Sequence, residues 1–431
     1  MTTSTTHGTT FWDRIGPYSG GKNKLALGMF AVLLLSYVLN AMDRQLFSIL
    51  ASDAREDLGL SVPEIGLATT IFTLGMGVAA LPTGFLLARL KRRSVALVGL
   101  VIFSAAIVLT AFAQGLMDLL LYRFILGVGE SMQLTALLAI GTTYFLNHRG
   151  VAASSLNFTF GIGAIIGPNL GAVLLSAYGW KTPLVAFGLA GVPIFILIVA
   201  VVRSWFSEYN PADEGSLAKA ATDELPVDPA SPPVESGASS LLERAPVLLA
   251  LATVFAGLAI YGYLGLYPTY LREELGFSAG DAGFAVSLYG LGAVLSLLGG
   301  WLGDRFNFRA VLAYALAISA VSGYLLFTEI TSLVAHAVLS FVFGGAISGM
   351  VYANLSAGVI KSMKRSLASR GSGLFVTALY LPAAFAGYLL GTLADLFGWT
   401  EAALIQLSAF SVISAVLSLL ARPKVRAEDV K

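Results

Sequence analysis

Arg55–Leu67 reads REDLGLSVPEIGL, and Arg272–Phe284 reads REELGFSAGDAGF. The second stretch repeats the first at an offset of 217, and Leu74-Gly75 recurs as Leu291-Gly292 at the same spacing. GFLLARLKRR at Gly84–Arg93 returns as GWLGDRFNFR at Gly300–Arg309, an offset of 216, and Gly179-Trp180 returns as Gly398-Trp399, an offset of 219. A chain that repeats itself at one nearly constant offset is built of two like halves.

Composition identifies the solvent of those halves. The 431 residues are 57% hydrophobic and 12% charged, with a mean hydropathy of +0.81. Soluble domains sit near roughly 45–50% apolar and 25% charged. Apolar runs long enough to cross a bilayer recur twelve times, at about 25–50, 63–88, 94–115, 118–146, 150–177, 182–206, 245–271, 278–303, 308–328, 331–360, 366–394 and 400–421. The expected fold is therefore an all-α membrane protein, with twelve transmembrane helices in two six-helix halves. Because six is even, the halves are parallel and related by an axis along the membrane normal, and a site between them can open to either side by rocking.

The expected divisions are a cytoplasmic segment 1–24, an N-terminal half 25–206, a linker 207–243 rich in Pro, Ser, Ala and acids, a C-terminal half 244–421 and a tail 422–431. With the amino terminus inside, cytoplasmic segments hold 21 of the 26 Lys/Arg residues and the opposite side holds three, Arg55, Lys181 and Arg272. That asymmetry puts both termini in the cytoplasm, in an expected bacterial inner-membrane setting. Two basic residues remain for the membrane interior, Arg44 and Arg123.

Several function classes fall away. The polar residues 1–24 precede a run long enough to span, so no cleavable signal peptide is expected. Cysteine is absent, and the three histidines, His7, His148 and His336, are far apart, so neither a metal site nor a cofactor is expected. No G-x-x-x-x-G-K-[ST] stretch supports an ATP-driven pump. The chain reads as a monomeric carrier, not an enzyme, with the lipid bilayer as its setting and no nucleic-acid partner.

Over residues 25–421 the sequence resembles the major facilitator superfamily. GFLLARLKRR and GWLGDRFNFR are similar to the family's G-x-L-x-D-R-x-G-R-R loop signature, with Ala88 in place of the acid in the first copy and Asp304 and Arg305 keeping the pair in the second. The resemblance implies a cytoplasmic gate that draws on Arg89, Asp304 and Arg305. Asn40, Asp43 and Arg44 in the first span, with Arg123, Gly127, Gly129 and Glu130 in the fourth, resemble the organic anion:cation symporter branch and partly the bacterial spinster-type carriers.

Charge inside a bilayer is costly and persists where it faces water, a partner or a substrate. Tyr37, Asn40, Arg44 and Ser48 form a polar stripe on span one, which is expected to end near Leu50. Arg44 then lies roughly 9 Å and Arg123 roughly 7–8 Å below the outer surface, at one level, with Glu130 about 10 Å deeper. Two arginines at one level suit an anion, since a guanidinium matches a carboxylate fork and keeps its proton. Carboxylates held out of water exchange protons more readily near neutral pH, which gives Asp43 and Glu130 the coupling role.

Further lining candidates are Gln133 and Asn157 in the N-terminal half, and Tyr263, Tyr267, Asn354 and Tyr380 in the C-terminal half. His336, near the outer end of its span, reads as a satisfied polar residue. The expected activity is proton-coupled symport of a small organic carboxylate by alternating access. The alternatives are a lysolipid or amphiphile carrier and an anion exchanger, the latter suggested by GIGAIIGPNLG at Gly161–Gly171, which otherwise serves tight helix packing. A non-transporting membrane receptor is the remote alternative.

Overall fold

In the computed structural model, which describes residues 16–18, 20–87, 89–145, 149–209, 237–364 and 368–421, each copy of the repeated stretch closes one helix and opens the next. Gly59 (φ +65°) and Gly276 (φ +68°) sit at equivalent points just past a helix end, in the left-handed region that L side chains resist. The Leu60 N–H reaches back to the Arg55 carbonyl at 3.0 Å and seals the first end. Ser61 then caps the following helix in a reciprocal capping box with Glu64, and its counterpart in the second half, Ser278, accepts from the Asp281 N–H at 3.1 Å. The repeated letters are therefore a helix stop, a turn and a helix start.

Spans 1 to 6 run Gly20–Leu58, Val62–Thr70 with Phe72–Leu87, Arg92–Thr110, Leu116–Tyr144, Arg149–Tyr178 and Lys181–Val201. Spans 7 to 9 run Arg244–Glu273, Ala279–Ala293 with Ser296–Arg305, and Phe308–Leu325. Span 10 runs from Leu333 to Lys361 through a π-helical stretch, Gly345–Val351. Span 11 comprises Ala368–Ala383 and Ala386–Phe397, and span 12 runs from Trp399 to Leu420 through a second π-helical stretch, Leu404–Ala409. Among the described residues eleven helices are long and apolar enough to cross a membrane. Span 8 completes the twelve in two pieces, of 15 and 10 residues, each too short to cross by itself.

The halves repeat in packing as well as in sequence. A Cβ on Gly75 would strike the Phe124 carbonyl, and one on Gly127 the Phe72 carbonyl, so spans 2 and 4 touch backbone to backbone. At the equivalent positions of the second half, Gly292 meets the Phe341 carbonyl and Gly344 meets the Tyr289 carbonyl, joining spans 8 and 10 in the same way. Between the halves, Gly66 of span 2 lies on Gly387 of span 11, and Gly283 of span 8 lies on the Pro168 carbonyl of span 5. The small residues of GIGAIIGPNLG also pack: Gly163 and Gly167 lie against the backbone of span 1 at Val38 and Met42.

Span 1 runs eight residues past the far end of its apolar run, ending at Leu58 instead of Leu50. The added charged turns have partners on neighbouring helices. Arg55 forms a two-pronged bond to Glu273 (3.1 and 2.7 Å), Arg272 pairs with Asp53 and donates to the Ile49 carbonyl (3.0 Å), and Lys181 pairs with Asp57 (2.9 Å). Arg55 and Arg272 are the repeat-equivalent arginines of the opening stretch, and here they clasp spans 1 and 7 together at the end of the bundle away from the termini. Residues 1–15, 210–236 and 422–431, which hold most of the expected terminal segments and linker, lie outside the described residues. The linker's described end pairs with the loop after span 10, Ala238 donating to the Ser362 carbonyl at 2.8 Å and accepting from the Lys364 N–H at 3.1 Å.

Candidate substrate and proton site

Four ionisable side chains meet between spans 1 and 4. Arg44 Nε donates to Glu130 Oε2 at 3.0 Å, and Arg123 Nη1 lies 3.6 Å from Asp43 Oδ2. Asp43, Arg123 and Glu130 are fully buried. The two pairs cross over: each arginine takes the acid of the other helix. Because span 1 continues to Leu58, Arg44 lies fourteen residues, roughly 21 Å of helix, from its end, which brings it within reach of the deeper Glu130 instead of level with Arg123.

The expected arginine clamp is thus divided. Arg123 Nε and Nη2 donate to the Ala68 and Thr69 carbonyls, both at 3.2 Å, beside Ile71, where the two helical segments of span 2 meet. Its guanidinium also lies 4.4 Å from the Phe47 ring centre and 5.3 Å from that of Phe72. Arg123 is therefore packed into the N-terminal half as a brace for Asp43 and span 2. Arg44 differs, with its Nη2 buried and unpartnered and its guanidinium 5.8 Å from the ring centres of both Tyr37 and Phe160.

Arg44 opens onto a narrow crevice between the halves, with free space of only about 10 Å³, lined by Gln45, Thr69, Thr70, Phe72, Phe160, Tyr261, Leu264 and Gly265. Tyr261 is the repeat counterpart of Arg44, at the offset of the opening stretch, so the cleft lies where the two repeats face each other at equivalent positions. The Tyr380 ring lies 6.0 Å from that of Tyr261, and Tyr37, Tyr261 and Tyr380 are all within electrostatic range of Arg44. Of the tyrosines expected to face substrate, Tyr37 and Tyr380 are in this neighbourhood.

The other expected lining residues are placed elsewhere. Tyr263 and Tyr267 stack on each other at 4.6 Å inside the C-terminal half, where Tyr263 bonds Ser340 (3.0 Å) and Tyr267 bonds His336 Nδ1 (2.8 Å). Tyr263 follows Tyr261 by two positions, which turns the pair to different faces of the helix. His336 is satisfied on both nitrogens, the second meeting the Ile330 carbonyl at 2.6 Å. Asn354 donates to Gly299 and Met350 carbonyls, both at 2.9 Å, and joins span 10 to span 8. Asn40 and Gln133 bond each other at 3.0 Å, and Gln133 also donates to Ser36 Oγ at 3.0 Å, tying span 1 to span 4.

Arg89 and Arg305 are exposed, and neither forms an ion pair among the described residues; Arg305 lies 5.6 Å from the Trp301 ring centre. The side chains of Asn157 and Asp304, and all of Ala88, lie outside the described residues. Gln45 and Tyr261 were passed over by the sequence reading. Gln45 sits one position off the polar stripe, and Tyr261 was masked by three tyrosines at helical spacing on the neighbouring face.

Comparison with known proteins agrees with this architecture. The sequence matches the Major Facilitator Superfamily over residues 33–262 and 249–431, and the chain belongs to that superfamily. It is 27% identical to the multidrug resistance protein MdtL of Klebsiella pneumoniae (strain 342), covering 84% of this chain and 85% of that protein. It is also 27% identical to the 4-hydroxybenzoate transporter PcaK of Pseudomonas putida, over 74% of this chain and 76% of the relative. Among solved structures, a bacterial homologue of the human lysosomal transporter Spinster, in an inward-facing and occupied conformation, superposes with a TM-score of 0.70 at 16% identity, covering 94% and 98% of the two chains. The protein is a multi-pass integral membrane transporter.

Proposed function

We propose that this transporter carries a small organic carboxylate into the cell together with a proton, across a bacterial inner membrane with both termini cytoplasmic, and that one chain suffices. The observation that carries the reading is Arg44: a buried guanidinium bonded through Nε to Glu130, with Nη2 unpartnered at a cleft between the two halves. A proton on Glu130 removes the charge that holds Arg44, which frees the guanidinium fork for an incoming carboxylate. When Glu130 loses that proton it competes with the anion for Arg44, and the anion leaves. Proton and anion therefore bind and depart together.

Arg123 and Asp43 brace the moving pair. As it stands the crevice has room for little more than one water, so the halves must part before cargo enters, and it is the buried charge of Arg44 that favours an anion. The relative named as a 4-hydroxybenzoate transporter supports a carboxylate cargo. The Arg55–Glu273 and Arg272–Asp53 pairs act as an outer clasp that must part when the site opens outward. The test is uptake of labelled carboxylates into proteoliposomes with an imposed acid-outside gradient. Accumulation that collapses when the gradient is dissipated, and is absent in Arg44→Ala, is the expected result; gradient-independent uptake, or uptake that survives the substitution, overturns the reading.

A further inference from the structure

The cleft beside Arg44 contains very few polar atoms with bonds left to make. Thr69 Oγ1 already donates to the Ile65 carbonyl (2.8 Å), and Thr70 Oγ1 contacts the Gly66 and Ala384 carbonyls (3.0 and 2.7 Å) and the Gly387 N–H (3.4 Å). Arg44 Nε is engaged by Glu130. What remains among the lining side chains is Arg44 Nη2, the Tyr261 hydroxyl and both atoms of the Gln45 amide, Nε2 and Oε1; Gln45 is only 1% exposed and its amide alone can both donate two bonds and accept. A buried amide with neither of its atoms bonded is rare in folded proteins, and each such group calls for an explanation.

The rest of the lining is mainly ring and aliphatic surface, Phe72, Phe160, Tyr261 and Leu264, while Gly265 lets span 7 pack closely on Thr70 and Gly387. Phe72 and Tyr261 stand 6.3 Å apart, centre to centre, and the Phe160 ring flanks Arg44. Once the halves part, such a wall suits a planar apolar ring, and the Tyr261 hydroxyl is its one polar atom. A polyhydroxylated sugar acid would have more hydroxyls than the Gln45 amide and the Tyr261 hydroxyl can satisfy, and each one buried without a partner costs binding energy.

We propose that Gln45 is the specificity residue of this site, and that the cargo is a planar ring carboxylate bearing one hydroxyl or comparable hydrogen-bonding substituent. Arg44 takes the carboxylate, the aromatic lining takes the ring, and the Gln45 amide takes the substituent as donor, acceptor or both. This inference rests on the carboxylate reading of the Arg44 site and narrows it.

The test is calorimetric binding to the full-length purified protein in detergent, with benzoate, 3-hydroxybenzoate, 4-hydroxybenzoate, succinate and gluconate. At least one hydroxybenzoate is expected to bind about tenfold tighter than benzoate, with gluconate and succinate weaker than either. In Gln45→Leu that advantage over benzoate disappears, and Gln45→Met, an unbranched replacement of similar length, gives the same levelling if the leucine variant does not fold. Hydroxybenzoate preference that persists in both variants overturns the role of Gln45. Binding of gluconate or succinate in preference to the ring acids overturns the cargo class while leaving the carboxylate site standing. Binding of none of the five overturns both.

Discussion

The two halves share a backbone plan and differ in what they bury. At the repeat offset of 217, Asp43, Arg44, Arg123 and Glu130 fall on Ile260, Tyr261, Ser340 and Ile347. Phe124, Gly127 and Ser131 fall on Phe341, Gly344 and Ser348, so the register is sound through the fourth and tenth spans. The N-terminal half thus has two crossed ion pairs where the C-terminal half has a neutral interior, in which Tyr263, Tyr267 and Tyr289 stack and bond Ser340, His336 and Ser348. Ion pairs change partner when a proton arrives, whereas stacked rings with satisfied hydroxyls do not. On the proposed reading the N-terminal half supplies the chemistry and the C-terminal half the wall that faces it.

Substitutions at equivalent positions sharpen that contrast. Arg44→Ala should abolish carboxylate uptake, a loss of a hundredfold or more, whereas Tyr261→Phe at the matching position should reduce uptake only several-fold; equal effects in proteoliposomes would mean that the halves share the anion. Stability should separate the next pair. Removing one member of a buried ion pair costs about 3–5 kcal/mol, so Arg123→Ala should strongly lower the unfolding midpoint. Ser340→Ala, which removes one hydroxyl bond to Tyr263, should cost about 0.5–1.5 kcal/mol. Thermal unfolding of the two variants in one detergent distinguishes these, and comparable losses would contradict the bracing role of Arg123.

The smallest effect belongs to the clasp. Arg55 and Glu273 retain side-chain exposures of 31% and 24%, and pairs of this kind contribute about 0–1 kcal/mol. Arg55→Ala should therefore leave stability nearly unchanged and shift the balance toward the outward-open state by only a few-fold. Labelling of a cysteine placed at Ser52, whose buried hydroxyl lies beside the clasp, measures this against the same cysteine in the unaltered background; an unchanged labelling rate would show that the contacts between spans 2 and 11 close that end by themselves.

Much of the fold was legible because its determinants are local. Apolar length gives a span, and the DLGLS and ELGFS stretches encode a helix stop and start at the same point in each half. The length of span 1 was not legible, because Asp53, Arg55 and Asp57 look like the end of a membrane segment until their partners on other helices are known. At the site, the four charges could be named from sequence, but not who pairs with whom: that depends on how spans 1 and 4 slide past each other. The surroundings of the span 7 tyrosines were hidden for a related reason. Periodicity shows that Tyr263, Tyr267 and Tyr270 share a face, but both faces of that helix meet protein, and only the assembled bundle shows that Tyr261 turns to Arg44.

The central claim is that Glu130 and the anion compete for Arg44, so that an anion enters with a proton. The direct measurement is proton uptake on carboxylate binding, followed with a pH indicator in weakly buffered detergent solution, for the unaltered protein and for Glu130→Gln. The account predicts about one proton taken up per anion bound in the unaltered protein at neutral pH, and binding without proton uptake in Glu130→Gln. Binding with no proton movement in the unaltered protein, or the same uptake in both, would contradict it.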